Sequence, residues 1–110
     1  MAGIDIRLLS RGRRTPFSDW LDSLKDARTV GIVRARLNRI RVCNFGDCKP
    51  VGGGVEELRI DFGPGYRIYF GREGSLVVIL LCGGNKGTQG RDLARARKYW
   101  KEYLDAKTDG

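Results

Sequence analysis

Two short stretches of alternating hydrophobicity, joined by a glycine-proline-glycine turn, constrain the fold of this chain more than any other feature. Between Glu57 and Phe62 the even positions are apolar and the odd positions polar, and the alternation resumes from Tyr66 to Phe70. A period of two is typical of a half-buried strand, and Gly63-Pro64-Gly65 has the chemistry of a turn. The sequence therefore predicts a β-hairpin with one face in a core and the other face wet.

The length of the loop decides which side chains face one another across this hairpin. A three-residue loop pairs Phe62 with Tyr66 and keeps the apolar residues on one face, whereas a two-residue loop sets Ile60 beside Arg67. We therefore predict the three-residue loop. Its register gathers the ionisable groups of the polar face, with Arg59 opposite Tyr69, Asp61 opposite Arg67, and Glu57 beyond them. This polar face is the candidate site.

A third strand follows the hairpin and leads back to the candidate site. Leu76 to Leu81 is an unbroken aliphatic run, which is typical of a strand buried on both faces in the interior of a sheet. Running antiparallel to the second hairpin strand, it delivers Lys86 to the end of the sheet where Asp61 and Arg67 lie. Lys86 is therefore predicted to join the site.

Helical patterns flank these strands. Thr15 and Pro16 are a helix-capping residue and a first-turn proline, and a second amphipathic helix is predicted from about Thr29. Thr88 is the predicted N-cap of a last amphipathic helix.

The remaining segments complete a single domain. A short first strand is predicted at Ile4 to Leu9, and 44–54 is predicted to be a glycine-rich loop. The length of the chain suits one core, so residues 1–110 are expected to form one domain. The expected class is α+β, with two N-terminal helices packed on a mostly antiparallel sheet and a C-terminal helix.

The charge of the chain points to polyanionic partners. Its 110 residues include 21 Lys and Arg against 13 Asp and Glu, a formal net charge of +8. Such a surface attracts nucleic acid. The alternative is that the charge only keeps the protein soluble.

The cysteines and histidines limit the chemistry. The three cysteines lack metal-ligand spacing and the chain contains no histidine, so no zinc site or other metal, no disulfide framework and no cofactor is expected. Any general acid or base must then be a Lys, Arg, Tyr, Asp or Glu side chain. Because the chain shows neither a leader pattern nor an apolar run long enough to cross a bilayer, we expect a cytoplasmic protein with no membrane contact.

Several short motifs, taken in order and spacing, resemble one known family. They are Phe17-x-x-Trp20-Leu21, Asn44-Phe45-Gly46-Asp47, Glu57-Leu58-Arg59, Gly63-Pro64-Gly65-Tyr66-Arg67-Ile68-Tyr69 and Gly83-Gly84-Asn85-Lys86-Gly87-Thr88-Gln89. Together they resemble the RelE/ParE toxin superfamily and, within it, the addiction module killer protein branch close to HigB-type toxins. The resemblance covers nearly the whole chain. It implies a RelE-like fold with a curved sheet, a cognate antitoxin, and cleavage of mRNA in the ribosomal A site.

The resemblance also implies roles for particular residues. Arg67 falls on the phosphate-contacting arginine of the RelE family, and Lys86 falls on its second arginine. Arg59 falls at or next to one of the paired basic residues that activate the attacking hydroxyl. The family's acid–base tyrosine has no counterpart here, because that position carries Asp92 or its neighbour Arg91.

The residues themselves offer candidates for the remaining roles. Tyr69 shares the predicted face of Arg67 and is a candidate acid, and Glu57 is a candidate base because a carboxylate accepts a proton more readily than a guanidinium. Arg67 and Lys86 would stabilise the charge that develops when a 2′-hydroxyl attacks the adjacent phosphate. The alternative is purely structural, with tyrosine packing and cross-strand ion pairs such as Asp61 with Arg67.

Two basic helical faces complete the predicted binding surface. Arginines flank the apolar stripe of the second helix, and basic residues follow the outer face of the last helix. The predicted RNA contacts on these faces are Arg34, Arg41, Arg91, Arg95 and Lys98. The face of the second helix is either solvated or docks an acidic antitoxin or ribosomal RNA. The expected partners are a small helix-turn-helix antitoxin with an acidic segment, mRNA and the ribosome.

Three functions are consistent with these features. The leading interpretation is a ribosome-dependent mRNA endoribonuclease, which Arg59, Arg67 and Lys86 favour. ParE-like proteins share the fold but inhibit DNA gyrase by binding, and a non-enzymatic nucleic-acid-binding module would need only the charge.

Overall fold

The computed structural model describes residues 3–109, within which five strands form one mixed sheet and three α-helices cover its two faces. The strands are β1 (Asp5–Leu8), β2 (Cys48–Pro50), β3 (Val55–Ile60), β4 (Tyr66–Glu73) and β5 (Val77–Asn85), and the helices are α1 (Pro16–Ser23), α2 (Ala27–Arg41) and α3 (Gln89–Asp109). A 3₁₀ turn, Lys86–Thr88, joins β5 to α3. The predicted α+β class and the C-terminal helix are confirmed. Helices α1 and α2 lie between β1 and β2 in the chain.

The sheet has the strand order β1-β5-β4-β3-β2. β1 runs parallel to β5, and the other three neighbouring pairs are antiparallel. β5 therefore has a partner strand on each side, and every residue from 78 to 84 is buried. The prediction of an interior strand from the aliphatic run is confirmed.

The register of the β3–β4 hairpin differs from the predicted one by two residues. Arg59 pairs with Arg67, and Ile60 pairs with Tyr66, so residues 61–65 form the connection. The predicted pairs, Arg59 with Tyr69 and Asp61 with Arg67, are wrong. Because the shift is an even number of residues, each side chain stays on its predicted face.

The longer connection has a local cause. The N–H of Phe62 donates to the carbonyl of Ile60, and the N–H of Gly65 donates to the carbonyl of Phe62. Gly63 and Gly65 adopt positive φ angles of 57° and 81°, which glycine tolerates without steric cost. The chain thus folds back on itself after Ile60 instead of extending the ladder.

One strand lies within the segment that was predicted to be a loop. Cys48–Pro50 forms β2, which pairs with β3 at the edge of the sheet. Three residues are too few to show a period of two, and Pro50 is tolerated because an edge strand can lack a ladder donor.

The sheet carries a hydrophobic core on each face. The even positions of β3 and β4 pack against α1 and α2 in a core that includes Leu58, Ile60, Ile68 and Phe70. The opposite face packs against α3 through Tyr69, Ile79, Leu81, Ala96 and Trp100. The prediction that this second face is wet is wrong where α3 covers it, since Glu57 and Tyr69 are fully buried.

The predicted helix starts agree with the structure to within two residues. α1 begins at Pro16 with Thr15 as its N-cap, and α3 begins directly after Thr88. α2 begins at Ala27, because the side chain of Asp26 accepts a hydrogen bond from the backbone of Arg28. Within residues 3–109, no helix has both the length and the apolar character needed to cross a membrane.

Candidate active site

Two adjacent strands bring Arg59 and Arg67 side by side. The two residues are direct partners across β3 and β4, so their side chains leave the same face of the sheet, where like charges repel. The side chain of Arg59 is 35% exposed and that of Arg67 is 12% exposed. Such a pair needs a nearby negative charge.

Glu57 supplies that negative charge from within the protein. Its Oε1 atom lies 3.1 Å from Nε of Arg59 and 3.8 Å from Nε of Arg67. Its Oε2 atom accepts hydrogen bonds from the hydroxyl of Tyr69 at 3.0 Å and from the side-chain amide of Gln89 at 2.8 Å. Both oxygens therefore have polar partners, which is the condition for burying a charge.

These partners keep Glu57 ionised. Burial by itself raises the pKa of a carboxyl group, but the hydrogen bonds from Gln89, Arg59 and Tyr69 and the charge of Arg67 outweigh it and lower the pKa of Glu57. Burial, and then the charge of Glu57, raise the pKa of Tyr69. Glu57 is thus a poor proton acceptor and Tyr69 a poor proton donor near neutral pH.

Lys86 lies beside the arginine pair because the β3–β4 connection contacts the end of β5. The N–H of Lys86 donates to the carbonyl of Gly65 at 2.7 Å. A Cβ atom at Gly65 would lie 3.6 Å from Cβ of Lys86 and 3.8 Å from Nη1 of Arg67. The turn glycine therefore lies between the two cations.

The three cations line one concave surface of about 410 Å³, which we call the basic groove. Its lining consists of Asp47, Arg59, Asp61, Gly63, Pro64, Gly65, Arg67 and Lys86. Asp47 and Asp61 are exposed and add carboxylates to it. The groove thus combines three cationic donors with two proton acceptors.

The other residues predicted for the site lie elsewhere. Glu57 and Tyr69 are buried behind the basic groove, where neither side chain presents a free polar atom to a substrate. The predicted RNA contacts are all exposed but belong to two surfaces. Arg34 and Arg41 lie on α2, whereas α3, on the opposite face of the sheet, carries Arg91, Arg95 and Lys98.

Sequence reasoning missed two residues of this region. Gln89 and Asp47 stand within the family motifs, which give their positions but not their contacts. Asp61, which was predicted on the same polar face as Arg67, lines the groove with it, but among the described residues the two form no ion pair.

The chain is similar to an uncharacterized protein of Haemophilus influenzae (strain ATCC 51907 / DSM 11121 / KW20 / Rd). The two are 47% identical over 81 residues, which cover 74% of this chain and 82% of the relative. No family model matches the chain. No solved structure matches it either.

Proposed function

We propose a function for this chain from the basic groove, since the Haemophilus influenzae protein, to whose family the chain belongs, is uncharacterized. The proposed function is that of the toxin of a type II toxin–antitoxin system. It is a ribosome-dependent endoribonuclease that cuts mRNA and thereby inhibits translation. The RelE-like fold suggested by the sequence motifs is part of the same proposal.

The observation that carries the proposal is the convergence of Arg59, Arg67 and Lys86 in one groove. Guanidinium groups stay charged and bind phosphate oxygens through paired N–H donors, so they suit the phosphorane that forms during RNA cleavage. Arg67 is the less exposed of the two arginines, so water screens its charge less, and its Nε has no hydrogen-bond partner among the described residues, whereas Nε of Arg59 donates to Glu57. Arg67 is therefore the principal catalytic residue of the proposal.

The reaction needs only groups that the RNA and the groove provide. The 2′-hydroxyl oxygen attacks the adjacent phosphorus, the bond from phosphorus to the 5′-oxygen breaks, and the products are a 2′,3′-cyclic phosphate and a 5′-hydroxyl. Asp61 or Asp47 accepts the proton of the nucleophile, and Lys86 donates a proton to the leaving oxygen. Arg59 and Arg67 bind the charge that develops in between.

This assignment changes the roles that the sequence suggested for Glu57 and Tyr69. It also moves Lys86 from charge stabilisation to proton donation, and moves Arg59 from activation of the hydroxyl to charge stabilisation. Glu57, the candidate base, becomes a positioning residue, because its carboxylate is buried and both of its oxygens have donors. Tyr69, the candidate acid, becomes one of the groups that hold Glu57 in place. Asp92, at or next to the position of the family's tyrosine, is buried and accepts a hydrogen bond from Thr88, so Lys86 is the proposed acid.

The two basic helical faces supply the proposed partner surfaces. The exposed residues of α3, Arg91, Arg95 and Lys98, follow the segment that begins with Lys86, so this face is assigned to mRNA and the ribosome. Arg34 and Arg41 lie on the α2 side of the sheet, away from the groove face. They are assigned to the acidic segment of a cognate antitoxin, a small helix-turn-helix protein.

One observation favours a second candidate function. The polar side chains that line the groove are those of Asp, Arg and Lys. None of them is a histidine or a tyrosine, the side chains that commonly transfer protons in metal-independent nucleases. A ParE-like protein that inhibits DNA gyrase by binding alone would need only the charge of this groove.

Expression of the chain in growing bacteria separates the two candidates. We expect growth to stop, new mRNA ends to appear within translated regions, and plasmid supercoiling to stay unchanged. Inhibition of translation before the experiment should abolish the new ends, because cleavage requires the ribosome. Loss of supercoiling without new mRNA ends would contradict the nuclease and support the gyrase inhibitor.

A further inference from the structure

A second concave surface, of about 480 Å³, lies where β1 stops and β5 continues. The last residue of β1, Leu8, pairs with Leu80, whereas β5 runs on to Asn85. Helix α1 and the start of α3 form the walls, and Gly83 and Gly84 lie between them. We call this surface the arginine cleft, after the four arginines that line it: Arg11, Arg14, Arg91 and Arg95.

Three of these arginines present donors to the cleft. Arg11 is occupied, because it binds Glu102 and lies over the ring of Tyr99. Arg14, Arg91 and Arg95 are exposed, and Arg14 uses its Nε in one hydrogen bond to Asp19 at 3.3 Å, which leaves its two terminal nitrogens as donors. Arg91 and Arg95 each lie 3.8 Å from Oδ1 of Asp92, which is close enough for attraction but too far for a hydrogen bond. Their guanidinium groups can therefore still bind a phosphate.

The cleft also has an aromatic wall. Trp20 and Tyr66 are half-buried and meet edge to face with their ring centres 6.3 Å apart. Trp20 covers Gly83, where a Cβ atom would collide with the indole ring. Partly exposed rings next to arginines are the usual platform for the bases of a single-stranded nucleic acid.

The arginine cleft adjoins the basic groove through one pair of residues. Tyr66 and Asn85 are direct partners across β4 and β5 and line the cleft. Their chain neighbours, Arg67 and Lys86, line the basic groove. The two concave surfaces are thus lined by consecutive residues at the end of this strand pair.

We propose that the arginine cleft is a second nucleotide subsite, which binds the nucleotide that flanks the phosphate held in the basic groove. Arg14, Arg91 and Arg95 bind its phosphate, and the aromatic wall of Trp20 and Tyr66 contacts its base. This subsite rests on the proposed function, because that function places the neighbouring phosphate of the RNA in the basic groove.

The cleft fits a nucleotide better than it fits an acidic peptide. Asp19 and Asp92 also line it, but they already accept hydrogen bonds from Arg14 and Thr88. The half-buried rings of Trp20 and Tyr66 offer a stacking surface that a base matches and that aspartate and glutamate side chains do not. A nucleotide brings both a phosphate for the arginines and a base for the rings.

Binding of short uncleavable RNA tests the subsite. The probes are fluorescein-labelled 2′-O-methyl oligoadenosines of six and of two nucleotides, whose methylated 2′-oxygens cannot attack. We expect the double variant Arg91→Ala/Arg95→Ala to bind the hexanucleotide at least about tenfold more weakly. The slope of log affinity against log salt should fall by about 1.4, since each lost contact to a single strand removes about 0.7. Binding of the dinucleotide, whose single phosphate lies in the basic groove and which therefore brings no phosphate to the arginines of the cleft, should not change.

The matched control is Lys101→Ala/Lys107→Ala, which removes the same charge from the same helix. Lys101 lies ten residues beyond Arg91, about 15 Å along the helix axis. We expect this control to keep the affinity and the salt slope of the wild-type protein to within about twofold. Tyr66→Leu should weaken hexanucleotide binding while Tyr66→Phe should not, since only the ring is needed.

Two outcomes would overturn the proposal. One is unchanged hexanucleotide affinity in the arginine double variant with its fold intact by circular dichroism. The other is loss of binding to a glutamate-rich nonapeptide in that variant while RNA binding persists, which would assign the cleft to a protein partner.

The subsite and the nuclease fail separately. If the wild-type protein cuts mRNA and the double variant binds RNA like wild type, the subsite is excluded and the proposed function is not. If the wild-type protein cuts no mRNA but binds the hexanucleotide through Arg91 and Arg95, the nuclease is excluded and the cleft is still an RNA-binding site.

Discussion

Among single residues, Glu57 shows how the two adjacent arginines of the basic groove are held. Its carboxylate is buried between the guanidinium of Arg59 and that of Arg67, and it is fixed from behind by Tyr69 and Gln89. The sequence marks Glu57 as a polar position on a half-buried strand and as a candidate base, and neither feature shows that it is buried. Its burial depends on Gln89, which is 32 positions away in the chain, so no local pattern encodes it.

Glu57→Gln tests this role. An amide cannot offset two guanidinium groups, so we expect the free energy of unfolding at pH 7 to fall by about 2 kcal/mol. The lowered pKa of Glu57 means that its contribution exists above the ordinary glutamate pKa of about 4.3 and is lost as the pH falls further. The difference between wild type and variant should therefore shrink towards pH 3 in urea denaturation.

Glu56→Gln is the matched control for this change. Glu56 is the chain neighbour of Glu57 and pairs with the exposed Arg72, so its loss should cost less than about 1 kcal/mol. Equal losses from the two variants, or a Glu57→Gln effect that does not depend on pH, would contradict a buried ionised carboxylate.

At the scale of elements, residue patterns predicted the type of each long element but not how the elements meet. The alternation in β3 and β4 and the aliphatic run in β5 identify three strands because burial of one or both faces leaves a period in the sequence. Register depends instead on the fold of 61–65, where two backbone hydrogen bonds and two positive-φ glycines give a five-residue connection. The amphipathic stripe of α3 predicts that one side of the helix is buried, but it does not specify which face of the sheet the helix covers.

The close approach of α3 to the sheet gives a prediction at this scale. A Cβ atom at Gly71 in β4 would lie 2.5 Å from Cε3 of Trp100, so Gly71→Ala should lower the free energy of unfolding by about 1–3 kcal/mol through overpacking. Gly31 lies within α2 and has no atom within 4 Å of its Cβ position, so Gly31→Ala should raise stability by about 1 kcal/mol. Urea denaturation measures both changes.

The contrast between the two glycines is the informative result. Both substitutions add one methyl group to the interior of a regular element, and only Gly71 faces a neighbouring element. A Gly71→Ala variant as stable as wild type would mean that α3 does not lie on β4 as described.

At the scale of the whole molecule, the sheet brings together charged residues that lie far apart in the sequence. Arg59, Arg67 and Lys86 come from three separate segments, and the order β5-β4-β3 sets them in adjacent positions. Sequence reasoning predicted this convergence because antiparallel neighbours return to the same end of a sheet. It did not predict the carboxylate of Asp47 in the groove, since that position depends on a loop.

Cleavage of a defined mRNA on purified ribosomes tests the central claim most directly. Wild-type protein should cut it and leave 2′,3′-cyclic phosphate and 5′-hydroxyl ends, and Arg67→Ala should cut about 10²- to 10³-fold more slowly while keeping its circular dichroism spectrum. Arg72→Ala, on the same strand but outside the groove, should cut at the wild-type rate. Cleavage by folded Arg67→Ala at the wild-type rate, or no cleavage by the wild-type protein, would contradict the account.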